Sequence, residues 1–186
     1  MTPADIKEKP IREEEGSQLV RPRPTHHLLS IRVENKFGVL SRVAGLFSRR
    51  GFNIVSLAVA PTEDDRFSRI SIVVDAESAP LEQVMSQLNK LINVVEIKQL
   101  HPDDAVEVEL LLVTLEADDK ITADLQKLIK SHKANILEQN DRFITISCAE
   151  SPGKLDQLEN LLQDYPIVAL QRTGQIALPK LDFLSK

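Results

Sequence analysis

The sequence has few of the residues that disulfides and stacking surfaces require. Its 186 residues include one cysteine, no tryptophan, one tyrosine and six phenylalanines. A single cysteine excludes an internal disulfide framework and any metal site made from several cysteines. A net charge of −5 with so few aromatic rings also disfavours nucleic-acid binding, which needs a basic surface with stacking rings.

Long apolar runs and secretion signals are absent as well. No stretch of about 18 apolar residues is present, and the N-terminus alternates charged residues with proline. We therefore expect a cytoplasmic protein that neither spans a membrane nor is secreted. The hydrophobic content of 42% is sufficient for a core, and the length suits two small domains.

Residues 1–25 predict a disordered tail. Glu13-Glu14-Glu15 and Arg21-Pro22-Arg23-Pro24 bracket a stretch with few apolar residues, which buries too little surface to offset the entropy of ordering. We interpret this tail as a solvated linker. An extended Arg-Pro segment that docks on an acidic partner is the alternative.

Residues 26–101 predict a first βαββαβ unit. The period of a half-buried strand runs through Leu29, Ile31 and Val33. A helix then begins near Gly38, and its N-terminus carries unpaired N–H groups that can hold a small anion such as a carboxylate. This helix ends at Gly51, where a left-handed cap is expected.

Two strands, a helix and a last strand complete this unit. The second strand runs from Asn53 to Ala60, and the hairpin loop Pro61–Asp65 leads into the third. We expect Ser78 to cap the second helix. The apolar stripe of that helix comprises Leu81, Val84, Met85, Leu88, Leu91 and Ile92. A fourth strand from Val94 to Gln99 places two helices on one face of an antiparallel sheet.

Residues 106–180 predict a second ferredoxin-like unit after the linker His101-Pro102-Asp103-Asp104. Its first strand passes through Val108, Leu110 and Leu112, and its first helix carries Ile121, Leu125, Leu128 and Ile129. A hairpin turns at Asn140-Asp141, and Ser151-Pro152 opens a helix with serine as its cap. The stripe of that helix comprises Leu155, Leu158, Leu161 and Leu162. A strand from Ile167 to Thr173 completes an α+β fold of two βαββαβ domains.

Other reactive residues predict structural roles. Cys148 shares strand parity with Ile144 and Ile146, which favours a buried thiol over a nucleophile. His132 lies on an apolar helix face, where a packed histidine is expected, and the histidines lack metal-ligand spacing. Glu63-Asp64-Asp65 is interpreted as a solvated loop or a partner contact. Neither a phosphate-binding loop nor a nucleophile elbow is present, so we expect no catalytic residues.

The segment Val33–Ile54, followed by Ser56-Leu57 and Ala60-Pro61-Thr62, resembles the ACT domain of acetolactate synthase (acetohydroxyacid synthase) small subunits. The resemblance continues through Gln87–Leu91 and more loosely through the second domain. Phe37 departs from the pattern, because a proline or small residue is common there. The resemblance thus implies an N-terminal ACT domain and a C-terminal small-subunit domain.

What the resemblance implies is a regulatory subunit without catalytic residues of its own. It would associate with a catalytic large subunit, raise that partner's activity and convey feedback inhibition by valine or a related branched-chain amino acid. Thiamine diphosphate, magnesium and FAD are expected in the partner, and no cofactor is expected on this chain. A homodimer through the ACT domains is implied, with the ligand where two of them meet.

Matching positions imply that Asn35, Gly38 and Asn53 contact the ligand, with the N–H groups of Val39 and Leu40 beside them. Glycine lets the backbone approach a carboxylate, and the following N–H groups donate charge-assisted hydrogen bonds. The side-chain amides of the two asparagines can hydrogen-bond to both an ammonium and a carboxylate group. The alternative, in which Asn35 only begins a turn and Asn53 only follows a helix cap, stays open here.

Two function classes compete with this interpretation, and a third is weaker. A free-standing amino-acid-binding ACT protein would lack an enzyme partner. A small ferredoxin-like enzyme would need convergent titratable groups, which the sequence does not display. An RNA-binding module of the same strand order would need exposed aromatic residues on its central strands, and Leu29-Ser30-Ile31 and Ser71-Ile72-Val73 supply none.

Overall fold

The computed structural model describes residues 26–75, 81–116 and 121–183. They form two α+β units, each with one antiparallel sheet and two helices. The predicted tail of residues 1–25 and the predicted cap Ser78 lie outside the described residues.

The first unit confirms the predicted βαββαβ order. Its elements are β1 His26–Glu34, α1 Val39–Arg49, β2 Asn53–Pro61, β3 Phe67–Asp75, α2 Leu81–Leu88 and β4 Val94–Leu100. The strand order is β2-β3-β1-β4, with every neighbouring pair antiparallel. The two central strands are therefore β1 and β3, and β2 lies at an edge.

The core of this unit lies between the sheet and its two helices. α1 buries residues at helical spacing, namely Val39, Val43, Leu46 and Phe47. The Phe47 ring meets the Phe52 ring edge to face, with centroids 6.4 Å apart. The prediction that Ile92 belongs to the α2 stripe is wrong. α2 ends at Leu88, the chain turns as the Leu91 N–H donates to the Leu88 carbonyl, and Ile92 is 89% exposed.

The second unit has the same order and one additional strand. Its elements are β5 Ala105–Glu116, α3 Ile121–Ser131, β6 Asn135–Gln139, β7 Phe143–Glu150, α4 Pro152–Leu162, β8 Ile167–Arg172 and β9 Ile176–Pro179, followed by a 3₁₀ turn at Leu181–Phe183. The sheet order is β6-β7-β5-β8, and β9 pairs with the start of β5. The sequence did not predict β9, because its partner strand lies about 70 residues upstream.

The exposed apolar residues of two elements in the second unit, β5 and α4, differ from expectation. The strand through Val108, Leu110 and Leu112 is present, but these side chains lie on its exposed face, and the buried residues are Leu111, Val113 and Leu115. Both parities of this strand are apolar, so its alternation does not indicate which face is buried. Leu161 is also 45% exposed, because Leu158 and Leu162 carry the buried stripe of α4.

The start of α4 shows how the predicted cap works. Ser151 occupies the N-cap position with extended backbone, and its carbonyl accepts from the N–H groups of Lys154 and Leu155. Its side chain makes no capping hydrogen bond, so the prediction holds for the position and is wrong for the hydroxyl. Pro152 fills the first turn, where its missing N–H costs nothing.

A third apolar cluster joins the two units. Its buried members are Leu28, Val73, Leu100, Ala105 and Ala177. The first three belong to the first sheet, whereas the two alanines come from the paired strands β5 and β9. The second unit thus covers this end of the outer face of the first sheet. The domain boundaries, with the first unit ending at residue 101 and the second beginning at residue 106, stay a proposal.

Candidate functional site

The loop between β1 and α1 is held against the β2–β3 hairpin. The Asn35 backbone N–H donates to the Arg66 carbonyl (2.7 Å), and Asn35 Nδ2 donates to the Asp65 carbonyl (3.0 Å). The Lys36 N–H donates to the Glu34 carbonyl (2.9 Å), which closes the turn. Asn35 thus anchors the loop. Among the described residues, its Oδ1 accepts no hydrogen bond, so that oxygen can accept one from another group.

Gly38 is the N-cap of α1, as the sequence predicted for the helix start. Its φ of 80° and ψ of −4° lie in the left-handed region that favours glycine. The Val39 N–H already donates to the Lys36 carbonyl at 3.3 Å, so it is a weaker candidate donor than expected. The N–H groups of Gly38 and Leu40 have no acceptor within the part of the chain that is described. The space beside Gly38 is open, because a Cβ at this position would meet no atom within 4 Å.

A hydrogen-bonded carboxylate lies beside this helix start. Glu34 Oε2 accepts from Asn93 Nδ2 (2.6 Å) and from Lys36 Nζ (3.1 Å). The Asn93 hydrogen bond, and then the Lys36 hydrogen bond, lower the pKa of Glu34. Arg42 of α1 donates from Nη1 to Asn93 Oδ1 (3.0 Å). Sequence reasoning missed Asn93, because it is 59 residues from Glu34 and no local spacing marks it.

Asn53 lies at the opposite end of the sheet from the other predicted site residues. It pairs with Asp75, which in turn pairs with His26 at the start of β1. Asn35 follows Glu34 at the far end of that strand. The two asparagines are therefore roughly 30 Å apart at the usual rise per residue. Within one chain the structure brings Asn35, Gly38, Val39 and Leu40 together but not Asn53.

An exposed apolar surface lies along the edge strand near the start of α1. Leu57 and Val59 of β2 pair with Ile72 and Ile70, so they face the helix side of the sheet. Val59 is 45% exposed and Leu40 of α1 is 38% exposed. Phe37, at the tip of the loop, is fully exposed. This combination of an unpaired strand edge and exposed apolar side chains is typical of a protein interface.

A cavity of about 480 Å³ lies between the two units. Arg172 lines it and pairs with Glu109, with Asp156 (2.7 Å) and with Glu159 (3.0 Å). Burial alone would lower the pKa of Arg172, but the hydrogen bonds to Glu109 and Asp156 outweigh it and raise that pKa. No sequence pattern predicted this network. It ties β8 to β5 and α4, which is a structural role.

The remaining reactive residues fill structural positions. Cys148 is buried, as predicted, and its Sγ donates to the His132 carbonyl (3.3 Å). Burial raises the pKa of this thiol, which makes it a poor nucleophile. His132 is half-buried, as expected of a packed histidine, but it lies in the turn one residue past the end of α3 at Ser131 and not on the helix itself.

Neither a metal cluster nor a membrane helix is found in the described ranges. No group of three or more His, Cys, Asp or Glu side chains there lies close enough to hold a metal ion. None of the helices described is long and apolar enough to cross a membrane.

Comparison with known proteins finds matches to both units. Residues 29–96 match the family described as AHAS small subunit-like ACT domain, and residues 108–181 match the family described as small subunit of acetolactate synthase. The acetolactate synthase small subunit of Mycobacterium bovis is 41% identical over 157 residues, which cover 84% of this chain and 94% of that protein. The chloroplastic acetolactate synthase small subunit 2 of Arabidopsis thaliana is 38% identical over 156 residues, which cover 84% of this chain and 32% of that protein.

A solved structure agrees with these matches. The crystal structure of the acetolactate synthase small subunit from Thermotoga maritima superposes with a TM-score of 0.77 at 32% identity. The superposition covers 83% of this chain and 97% of that one. Sequence and fold thus agree over both units, and the chain belongs to the family of acetolactate synthase small subunits.

Proposed function

We propose that this chain binds the thiamine-diphosphate-dependent catalytic large subunit of acetolactate synthase, raises its activity and makes it sensitive to valine. Its family assigns it a regulatory role in branched-chain amino acid biosynthesis, without catalysis of its own. Thiamine diphosphate, magnesium and FAD belong to the large subunit. The complex works in the cytoplasm. A free-standing sensor is not favoured, because relatives matching both domains are named as subunits.

The valine site forms where two ACT domains meet in a homodimer. β2 is an edge strand, and within the described residues no strand pairs with its outer side. Antiparallel pairing of two such edges about a two-fold axis places the Asn53 end of one strand beside the Pro61 end of the other. Asn35 is tied to the hairpin at that end. The dimer therefore supplies Asn53 from one protomer to Asn35 and Gly38 of the other.

The left-handed helix start at Gly38 is the observation that carries this proposal. Its N–H groups at Gly38 and Leu40 have no acceptor in the described residues, the space at the Cβ position of Gly38 is open, and the helix dipole there favours a carboxylate. Oδ1 of Asn35 and the side chain of Asn53 are available for the ammonium group. Leu40 and Val59 supply the small apolar recess that an aliphatic side chain needs. These contacts fit a short branched-chain amino acid.

Regulation then follows from linkage. Valine bound across the two ACT domains favours one arrangement of the dimer over the other, and the large subunit responds to that shift. In an acetolactate assay with thiamine diphosphate and magnesium, we expect the chain alone to be silent and to stimulate the large subunit when added. Acetolactate formed by the chain alone would contradict the regulatory assignment.

The substitution Gly38→Asp tests the carboxylate site. At about 4 Å and an effective dielectric near 20, repulsion between the two carboxylates is on the order of 4 kcal/mol. Valine binding should weaken by several hundredfold or more. The left-handed backbone adds strain of about 1–2 kcal/mol, partly offset by the helix dipole, so the protein should remain folded.

Two variants control for strain and charge. Gly38→Ala introduces the same backbone strain without a charge, and it should bind valine better than Gly38→Asp. Gly153→Asp places the same charge in the first turn of α4, where a Cβ also meets no atom within 4 Å, and it should leave valine affinity unchanged. Calorimetry showing wild-type valine affinity in folded Gly38→Asp protein would overturn the proposed site.

A further inference from the structure

Two arginines oppose each other on the outer face of the first sheet, the face away from its helices. Arg32 of β1 and Arg69 of β3 are direct partners in the antiparallel register. Like charges directly opposite each other destabilise a sheet. The pair lies near the loop end of the sheet, whereas the opposite end of the same face is covered by Ala105 and Ala177.

Neither arginine forms an ion pair within 4 Å with an acidic side chain of the described residues, although Glu96 lies opposite Arg32 in the register. Arg69 Nη1 donates to Ser30 Oγ (3.0 Å), and the Arg32 guanidinium lies over the Phe67 ring, 4.3 Å from its centroid. Arg32 Nε is buried and has no hydrogen-bond partner there. Two guanidinium groups without a close ion pair thus lie side by side.

The neighbouring carboxylates are already paired with other cations. Glu96, which is opposite Arg32 in the register, pairs with Lys98 (2.8 Å). Asp64 pairs with Arg66 (2.6 Å). Both carboxylates are thus shared with other cations, and Arg32 attracts Asp64 only at longer range. A carboxylate within hydrogen-bond distance of Arg32 or Arg69 is left for a partner to supply.

The surroundings of the pair suit a protein surface rather than a small ligand. Ala58 and Ala60 of β2 and Ser71 of β3 share this face, so the floor beside the guanidinium groups is flat and made of small side chains. Guanidinium groups held half-buried, by a ring below one and a hydroxyl beside the other, are preorganised for planar carboxylates.

We propose that this face, defined by Arg32 and Arg69, docks an acidic surface segment of the catalytic large subunit. The inference rests on the proposed function and names the part of the ACT domain that the partner contacts. A partner on the outer face leaves the edge of β2 and the start of α1 uncovered. The chain can therefore hold its partner and bind valine at the same time.

Charge reversal tests this surface. For the Arg32→Glu variant, the chain concentration that gives half-maximal stimulation of the large subunit should rise by about tenfold or more. The dependence of that concentration on salt should become weaker. Arg32→Glu exchanges the like-charge opposition with Arg69 for one with Glu96, so the net effect on the fold should be small, as checked by circular dichroism. Arg69→Gln should raise the half-saturating concentration by a smaller factor. Valine affinity, measured by calorimetry, should be unchanged in both.

Arg142→Glu is the matched control. Arg142 also lies over a phenylalanine ring, that of Phe143, at 5.0 Å from its centroid, but it belongs to the second unit and pairs with Glu116. The Arg142→Glu variant should give half-maximal stimulation of the large subunit at the same chain concentration as the wild type. An unchanged value in folded Arg32→Glu, or an equal shift in Arg142→Glu, would overturn the docking surface alone. A wild-type chain that fails to stimulate the large subunit would overturn the proposed function and this surface together.

Discussion

The two units share a strand order but differ in what covers the outer face of each sheet. In the first unit, Leu28 and Val73 on that face are buried against two alanines of the second unit. In the second unit, Leu110 and Leu112 on the equivalent face are 40% and 38% exposed. The same fold thus gives a first unit whose outer face is closed at one end by its own chain and a second unit that leaves an apolar face open.

The edges of the two sheets differ as well. β2 of the first unit has nine residues, whereas β6, the edge strand at the same place in the second unit, has five. A long edge with exposed apolar side chains suits pairing with a second copy, and a short edge does not. This difference supports the proposal that dimerisation and ligand binding belong to the first unit.

Removal of a core aromatic ring should have the largest effect on stability. Phe47 is fully buried in the first core, so Phe47→Ala should lower the free energy of unfolding by about 3–5 kcal/mol. Leu155→Ala, at a fully buried site of the second core, should cost about 2–5 kcal/mol. Because the third cluster joins the units, urea unfolding should stay a single transition in both variants. A biphasic curve in which only one phase moves would show that the units unfold independently.

The next largest effect should come from the ion network of the second unit. Arg172→Ala leaves the nearly buried Glu109 carboxylate without its partner. We expect a loss of about 2–3 kcal/mol at neutral pH, less than the 3–5 kcal/mol of a fully buried pair, because Asp156 and Glu159 are partly solvated.

Arg142→Ala provides the control in the same unit. The Arg142 side chain is 71% exposed and pairs with the exposed Glu116, so its loss should cost no more than about 1 kcal/mol. Equal costs for Arg142→Ala and Arg172→Ala in urea unfolding would show that burial of the network contributes nothing.

A glycine where the units meet should give a smaller effect. Gly174 has a φ of 81°, and a Cβ there would lie 3.1 Å from Ser56 Cβ of the first unit. Gly174→Ala should therefore cost about 2 kcal/mol, from left-handed strain and from crowding. Gly51 has a similar φ of 75° but open space around it, so Gly51→Ala should cost only the strain. If the two variants unfold at the same urea concentration, the contact with Ser56 adds nothing to the cost of Gly174→Ala.

Local chemistry predicted most of the fold. Alternation located β1 and β3, and the left-handed glycines at 38 and 51 marked both ends of α1. The strand β5 shows the limit of this reasoning, because a run that is apolar at both parities does not indicate its buried face. β9 could not be predicted by this reasoning either, because its four residues pair with the start of β5, at the other end of the unit's sequence.

The candidate site could be predicted only in part. The loop residues Asn35 and Gly38 are close in sequence, and the structure brings them to one helix start. Asn93 joins them from the turn between α2 and β4 through side-chain geometry that no spacing encodes. Asn53 is distant within one chain, so its place in the site depends on a second protomer, which remains a proposal.

The smallest effect should come from acid titration of one hairpin. In the β2–β3 hairpin, the Asp64 carboxylate accepts from the Arg66 side chain (2.6 Å) and from its backbone N–H (3.1 Å). In the β6–β7 hairpin, Asn140 Oδ1 accepts from the Arg142 N–H (2.9 Å) in the same way, but an amide does not titrate. The side-chain hydrogen bond from Arg66 lowers the pKa of Asp64 to about 2.

Because this pKa is lower in the folded than in the unfolded state, the contribution of Asp64 to stability is complete above about pH 4 and is lost as pH falls towards 2. Asp64→Asn should give the first hairpin the pH independence of the second, so the ratio of amide exchange at the Arg66 N–H to that at the Arg142 N–H should be unchanged between pH 5 and 2.5. In the wild type that exchange should rise, relative to Arg142, as the carboxylate becomes protonated. An Asp64 carboxyl that titrates by NMR near pH 4 would remove this difference between the two hairpins.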